Sequence, residues 1–177
     1  MADARLLAAI ALALAGCDAG AAAGPAAAGN SVSMDAGPEL PGPAVVAGGE
    51  SFTCTPVKVW DGDGPIHCAE GPKVRLAGIA AREMDGSCSP GHPCPEASAE
   101  AARDTLAGLL GRTAGTGGDG HVLVEGPPLE CMSEGSAKGS RTAAWCVSPT
   151  AGDLSCAMVA SGTAAKWDRY WRNGACS

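Results

Sequence analysis

Aromatic side chains are scarce in this chain of 177 residues, which contains one Phe, one Tyr and four Trp. Aromatic residues usually contribute much of the buried apolar area of a protein core. We therefore expect the tryptophans to fill part of the core in place of Phe and Tyr. We also expect the domain to need a source of stability besides hydrophobic packing.

An excess of positive charge is also lacking, since the formal net charge is −7. From Ser51 onwards the chain has 11 Lys and Arg against 14 Asp and Glu, a net charge of −3. This balance argues against a broadly basic face of the type that binds duplex nucleic acid without sequence preference. Any recognition of phosphate must therefore be local.

The apolar run from Leu6 to Ala15 follows Arg5 and is too short to span a bilayer, but it has the size of a signal-peptide core. The run leads into Leu14-Ala15-Gly16-Cys17, which resembles the bacterial lipoprotein signal, in which the cysteine is lipidated after cleavage. This resemblance implies a signal peptide over residues 1–17 and lipidation of Cys17. The protein would then be exported and anchored to a membrane, in the periplasm or at the cell surface. An ordinary secretory signal with a chance cysteine is the alternative.

Residues 18–50 have few large apolar side chains and consist almost entirely of Ala, Gly, Pro, Ser and Val with a few acidic residues. Such a segment buries too little apolar surface to offset the entropy cost of ordering it. We interpret it as a disordered tether that leads to a folded domain at residues 51–177.

Eight cysteines follow Cys17, and an even number in an exported domain predicts disulfides formed in an oxidising compartment. The sequence allows many pairings. Proximity along the chain suggests the pairs Cys54–Cys68, Cys88–Cys94, Cys131–Cys146 and Cys156–Cys176. A zinc site formed by Cys88, His92 and Cys94 is an alternative use of two of these thiols, although no fourth ligand is evident.

Strand-like segments and turn signals dominate the first half of the domain. Ser51 to Trp60 has β-branched residues at alternate positions, and Lys73 to Ile79 predicts a further strand. Between them, Asp61-Gly62-Asp63-Gly64 is a strong turn signal, because both glycines tolerate a positive φ.

The second half predicts two helices and two or three short strands. Pro95 is suited to the start of a helix that runs to about Leu110, and Asp153 is suited to cap a second, short helix. The glycine-rich segment from Arg112 to Gly120 is interpreted as a flexible connection. About five strands and two helices in this order predict an α+β fold, namely a five-stranded OB-like β-barrel with packed helices, stabilised by disulfides.

Five short motifs occur in an order that resembles the staphylococcal nuclease-like, or thermonuclease, family over Ser51 to about Tyr170. They are Asp61-Gly62-Asp63-Gly64, Arg75-Leu76-Ala77-Gly78-Ile79-Ala80-Ala81-Arg82-Glu83, Pro95-Glu96-Ala97-Ser98, Gly139-Ser140-Arg141, and Met158-Val159-Ala160-Ser161-Gly162-Thr163-Ala164. The resemblance implies the OB-like barrel of that family, with hydrolysis of nucleic-acid phosphodiester bonds as the activity.

Phosphodiester hydrolysis in this family depends on cations that face the phosphoryl oxygens, because the transition state gathers negative charge there. The resemblance implies that Arg75 and Arg141 bind the phosphate and that Glu83 is the general base. It also implies that Asp63 is a ligand of a calcium ion.

The remaining expectations concern the substrate. The resemblance places Lys138 near a terminal phosphate and Tyr170 near the sugar or the base. Nucleic acid or a nucleotide is the expected partner, and we expect the protein to be a monomer.

The chain departs from the family pattern at Ala80-Ala81-Arg82, where the family has a second metal-binding aspartate, a threonine and a proline. Gly64 also replaces a hydroxyl residue. Calcium takes about six to eight oxygen ligands, so the loss of a carboxylate and the addition of a guanidinium weaken the expected site.

Three functional hypotheses follow from this departure. The first is an active nuclease with an atypical metal site, in which Arg82 partly takes over the role of the missing cation. The second is a degenerate member that binds nucleotide or phosphate without turnover. The third is a tethered structural module in which Arg75 and Glu83 form only a salt bridge.

Overall fold

The computed structural model describes residues 45–172 and Cys176. The strands are β1 (Ser51–Cys54), β2 (Pro56–Val59), β3 (Ile66–Cys68), β4 (Lys73–Leu76), β5 (Ile79–Ala80), β6 (Arg112–Thr116), β7 (Val122–Glu125), β8 (Leu129–Ser136), β9 (Arg141–Ser148), β10 (Gly152–Asp153) and β11 (Ala165–Lys166). The helices are α1 (Ala99–Leu110) and α2 (Leu154–Ala160), and a 3-10 helix covers Asp168–Tyr170. The predicted signal peptide, Cys17 and most of the predicted tether lie outside the described residues.

The main sheet has the strand order β1-β8-β9-β4-β3-β2-β7-β6, and β10 pairs with β9 beside this path. Strands β4 and β9 are parallel, whereas the other pairs are antiparallel. The end strands β1 and β6 do not pair with each other, so the sheet of the described residues does not close into a barrel. The α+β class and the disulfides are confirmed. The predicted five-stranded OB-like barrel is not confirmed, because the main sheet has nine strands and is not closed among the described residues.

Two local features account for the additional strands. The predicted strand Ser51 to Trp60 is divided at Thr55, because β1 pairs with β8 whereas β2 pairs with β3 and β7. The segment interpreted as a flexible connection instead contains β6, which pairs with β7 although all five of its side chains are exposed. Backbone pairing with β7, rather than a hydrophobic pattern, therefore defines this strand.

The helices begin at side-chain caps. Helix α1 starts at Ala99, later than Pro95, because the Ser98 hydroxyl accepts a hydrogen bond from the Ala101 N–H at 3.2 Å. Helix α2 is capped by Asp153 as predicted, through the Cys156 N–H at 2.9 Å.

The core consists mainly of aliphatic side chains, which the two helices and the sheet contribute. Its largest fully buried members include Ile66, Leu76, Ile79, Leu106, Leu110, Leu129, Leu154 and Met158. Among the tryptophans, Trp145 is buried, Trp171 packs at the edge of the core and Trp60 is exposed. The expectation that tryptophans fill the core is therefore only partly correct.

All four predicted disulfides are confirmed: Cys54–Cys68, Cys88–Cys94, Cys131–Cys146 and Cys156–Cys176. Each could stabilise the fold by roughly 2 to 4 kcal/mol, which suits a core with few aromatic residues. The zinc interpretation of Cys88, His92 and Cys94 is wrong, because the two sulfur atoms are bonded to each other.

The described residues that precede Ser51 are hydrogen-bonded to the sheet. The Val46 N–H donates to Thr142 Oγ1 at 3.1 Å, and the Val46 carbonyl accepts from Ser133 Oγ at 2.8 Å. The folded domain thus includes residues before Ser51. Within the described residues, none of the helices has the length and apolar character needed to cross a membrane.

We predict that a histidine on β3 makes stability depend on pH. Burial lowers the pKa of His67 to about 4, and the nearby His121, Lys58 and Lys73 add to the effect. Between pH 6.5 and about 4, His67 therefore binds a proton in the unfolded chain but not in the folded protein. The free energy of unfolding consequently falls as the pH is lowered through this window. Urea unfolding of His67→Gln should show a shallower loss of stability between these pH values. An unchanged pH profile would contradict this assignment.

Candidate functional site

The turn between β2 and β3 has a fixed conformation and is buried. Asp61 Oδ1 accepts a hydrogen bond from the Asp63 N–H at 3.1 Å, which closes the turn. Gly64 has φ of +112°, and a Cβ atom there would lie 2.4 Å from the Val74 carbonyl oxygen. A residue with a side chain therefore does not fit at position 64 in this conformation.

The turn directs Asp63 to an arginine on β4. Asp63 Oδ1 lies 2.7 Å from Arg75 Nη1, and Asp63 Oδ2 accepts from the Ala81 N–H at 3.0 Å. Both carboxylate oxygens are therefore occupied inside the protein. Among the described residues, Arg75 Nη2 is buried and has no hydrogen-bond partner.

Arg75 forms part of the wall of a cleft of about 980 Å³. The cleft is also lined by the other predicted catalytic and substrate-binding residues, namely Glu83, Lys138, Arg141 and Tyr170. The structure thus brings together five residues that are far apart in the sequence. Asp63 does not line the cleft and reaches it only through its ion pair with Arg75.

The parallel pairing of β4 and β9 explains why two arginines share the cleft. Arg141 is the first residue of β9 and lies opposite Lys73 in the register, two residues before Arg75 on β4. In the turn before β9, Lys138 has φ of +79°, a left-handed conformation that is uncommon for a residue with a side chain. Such strain is often found at functional sites.

Glu83 lies at the start of the loop between β5 and α1. Its Oε1 accepts a hydrogen bond from Ser89 Oγ at 2.7 Å, and the Cys88–Cys94 disulfide closes this loop. The alternative in which Glu83 forms a structural salt bridge with Arg75 is wrong, since the ion pair of Arg75 is with Asp63.

The Ala80-Ala81-Arg82 departure has structural uses. Ala80 is buried and pairs with Ala165 of β11, while the Ala81 N–H binds Asp63. Arg82 donates to the Pro95 carbonyl from Nε and to the Gly86 carbonyl from Nη1, both at 2.9 Å. Its guanidinium ties the loop together and does not line the cleft, so the hypothesis that Arg82 replaces the missing cation is wrong.

The donor set around Asp63 does not fit a calcium ion. Each oxygen of Asp63 already accepts a hydrogen bond from the protein, and Ala80 supplies no second carboxylate, whereas calcium needs about six to eight oxygens. Within the described residues, no group of three or more His, Cys, Asp or Glu side chains is placed to hold a metal. Asp63 instead orients Arg75.

The two buried carboxylates of the turn differ in their partners. Burial and the neighbouring charge of Asp63 raise the pKa of Asp61 to about 8. Burial also raises the pKa of Asp63, but the Arg75 guanidinium and the Ala81 N–H oppose this effect. We therefore assign the negative charge to Asp63 and the proton to Asp61 at neutral pH.

Some residues that line the cleft were not predicted from the sequence as site residues, among them His92, Trp167 and Arg169. The His92 ring lies 4.1 Å from the ring of Trp167, and Trp167 contacts Tyr170 edge-on at 4.7 Å. The one available signal was the Cys88–Cys94 pair, which encloses His92 in a short closed loop.

The cleft has a local surplus of positive charge. Its basic residues are Arg75, Lys138, Arg141 and Arg169, and its acidic residues are Glu83 and Glu134. Glu134 is moreover paired with Arg172. An acidic domain thus presents a cationic cleft, which suits a local anion such as a phosphate group.

We predict that Arg82→Gln lowers the free energy of unfolding by about 1 to 3 kcal/mol, because two charge-assisted hydrogen bonds to loop carbonyls are lost. Arg112→Gln is the matched control, since Arg112 forms an exposed pair with Glu125 that should contribute about 0 to 1 kcal/mol. Denaturant unfolding of both variants measures the difference. Equal effects would show that Arg82 does not anchor the loop.

Comparison of the chain with family models, with curated proteins and with solved structures gives no match.

Proposed function

We propose that the cleft binds nucleic-acid phosphate and hydrolyses phosphodiester bonds. The observation that carries this proposal is that Arg75, Arg141 and Glu83 line one cleft. A guanidinium can bind two phosphate oxygens at once, and two such groups would stabilise the charge that develops in the transition state. The unpartnered Nη2 atom of Arg75 supports this role.

In this proposal Glu83 is the general base. Its carboxylate accepts the proton of the attacking oxygen nucleophile while the new bond to phosphorus forms and the bond to the leaving oxygen breaks. Ser89 holds the carboxylate in place through its hydroxyl. Asp63 acts indirectly, because it orients Arg75.

The remaining residues would select the substrate. Lys138 at the rim of the cleft would bind a terminal phosphate, and Tyr170, whose side chain is half exposed, would lie against the sugar or base. The positions of the motifs at strand ends support an opened form of the OB-like nuclease architecture. The four disulfides support export, with Cys17 as the proposed lipid anchor and the monomer as the proposed state.

The second candidate function is binding of nucleotide or phosphate without turnover. It is favoured by one observation, that Asp63 uses both oxygens within the protein and Ala80 supplies no carboxylate. The same arginines would then form a phosphate clamp.

Cleavage assays separate the two candidates. We expect the oxidised full-length chain to cleave labelled single-stranded RNA or DNA, and Glu83→Gln to lower kcat by about 10²- to 10⁴-fold because the general base is lost. Arg112→Gln is the control variant away from the cleft. Assays with chelator and with added calcium measure the metal dependence. No cleavage by a folded sample under any condition would overturn the hydrolase proposal.

Binding can be tested apart from cleavage. We expect Arg75→Ala to weaken binding of a nucleoside bisphosphate by about 10- to 100-fold, because charge-assisted hydrogen bonds to phosphate are lost. Titration calorimetry in chelator measures the affinity, and Arg112→Ala should leave it unchanged. Binding without cleavage supports the second candidate, whereas neither binding nor cleavage contradicts both.

A further inference from the structure

A second ionisable group, His92, lies in the same loop between β5 and α1 as Glu83. The Ser89 hydroxyl donates to the Glu83 carboxylate, while the Ser89 carbonyl accepts from the His92 backbone N–H at 3.0 Å. Ser89 thus fixes the Glu83 side chain and the backbone of His92, and all three residues line the cleft beside Arg75. The Cys88–Cys94 disulfide encloses Ser89 and His92.

The His92 side chain has no structural bond that would explain its position. Within the described residues its ring contacts Trp167, and neither ring nitrogen makes a hydrogen bond. An imidazole that lines a cationic cleft with both nitrogens available can donate or accept a proton.

The nucleophile must be activated by the groups that the cleft holds. The residues around Asp63 do not fit calcium, so the activation of a water molecule by that ion finds no support in the donor set. A nucleophile that the substrate itself carries needs much less activation by the protein, because a well-placed intramolecular group reaches effective concentrations of about 10⁵ to 10⁸ M. The ribose 2′-hydroxyl of RNA is such a group, and DNA lacks it.

We propose that the substrate is RNA and that Glu83 and His92 form an acid–base pair which cleaves it without a metal ion. This inference rests on the proposed hydrolase function and specifies its nucleophile and substrate. Glu83 takes the proton of the 2′-hydroxyl, whose oxygen forms a bond to phosphorus. The bond from phosphorus to the 5′-oxygen breaks, and His92 donates a proton to that leaving oxygen.

The products of this step are a 2′,3′-cyclic phosphate and a 5′-hydroxyl end. No atom or electron is gained or lost, since one proton enters at Glu83 and another leaves from His92. Water then opens the cyclic phosphate in a second step. This step returns Glu83 and His92 to their starting protonation states and completes hydrolysis. Arg75 and Arg141 stabilise the phosphoryl oxygens in both steps.

The charges around His92 set the pH dependence. Burial lowers the pKa of His92, Arg75 and Lys138 add to the effect, and Asp63 and Glu83 oppose it. Because His92 acts in its protonated form, activity should fall as the pH rises, with a midpoint below the ordinary histidine value of 6.5.

The test uses the oxidised full-length chain in chelator. The substrates are three DNA oligonucleotides of identical sequence in which one position carries a ribose, a 2′-O-methyl ribose or a deoxyribose. We expect cleavage only after the ribose, with a 2′,3′-cyclic phosphate detected by mass spectrometry. Since this comparison changes only the substrate, it does not depend on the folding of a variant.

The role of His92 is tested with His92→Gln and with His121→Gln as the matched control. We expect His92→Gln to lower kcat by about 100-fold or more with little change in KM, and to remove the fall in activity at higher pH. Thermal melts of both variants verify the fold. An unchanged kcat and pH profile in His92→Gln would overturn the role of His92.

The outcomes also separate this inference from the function on which it rests. Cleavage of the 2′-O-methyl or deoxyribose substrate at a rate comparable to the ribose substrate would overturn the inference and leave phosphodiester hydrolysis standing. If the folded protein cleaves no oligonucleotide with chelator or with calcium, both the inference and the hydrolase function fail.

Discussion

The ion pair between Asp63 and Arg75 is the interaction on which the site depends. It joins the buried turn after β2 to β4. The N–H of Ala81, the residue that follows β5, donates a hydrogen bond to the same carboxylate. Both side chains are largely removed from solvent, so removal of either partner would leave a buried charge, at a cost of about 3 to 5 kcal/mol. The pair therefore fixes the guanidinium before any ligand arrives, which reduces the entropy cost of binding phosphate.

Features that depend on short stretches of chain could be predicted from the sequence. Each disulfide joins cysteines separated by 6 to 20 positions, so proximity identified all four pairs. The sequence also singled out residues that line the cleft, because they occur in short motifs at the ends of strands. Their meeting in one cleft depends on the parallel pairing of β4 with β9, which no local pattern reveals.

Features that depend on distant contacts could not be predicted. Strand β6 has a glycine-rich, fully exposed sequence and exists only because β7 provides a partner for its backbone. Closure of the sheet depends on whether β1 and β6 meet, which is set by the path of the whole sheet. The contact between His92 and Trp167 joins a loop to the C-terminal segment, and neither residue lies in a motif that indicates it.

The Ala80-Ala81-Arg82 segment now has a consistent physical explanation. A metal ion would supply charge held in place by its ligands, and carboxylates would then need to point into the cleft. Here Ala80 is buried in a strand pair, Ala81 binds Asp63, and Arg82 bonds to the Gly86 and Pro95 carbonyls. The segment thereby braces the loop that carries Glu83, and the Cys88–Cys94 disulfide braces it again further along. In the proposed function, the preorganisation that catalysis requires would thus be supplied by hydrogen bonds and a covalent link.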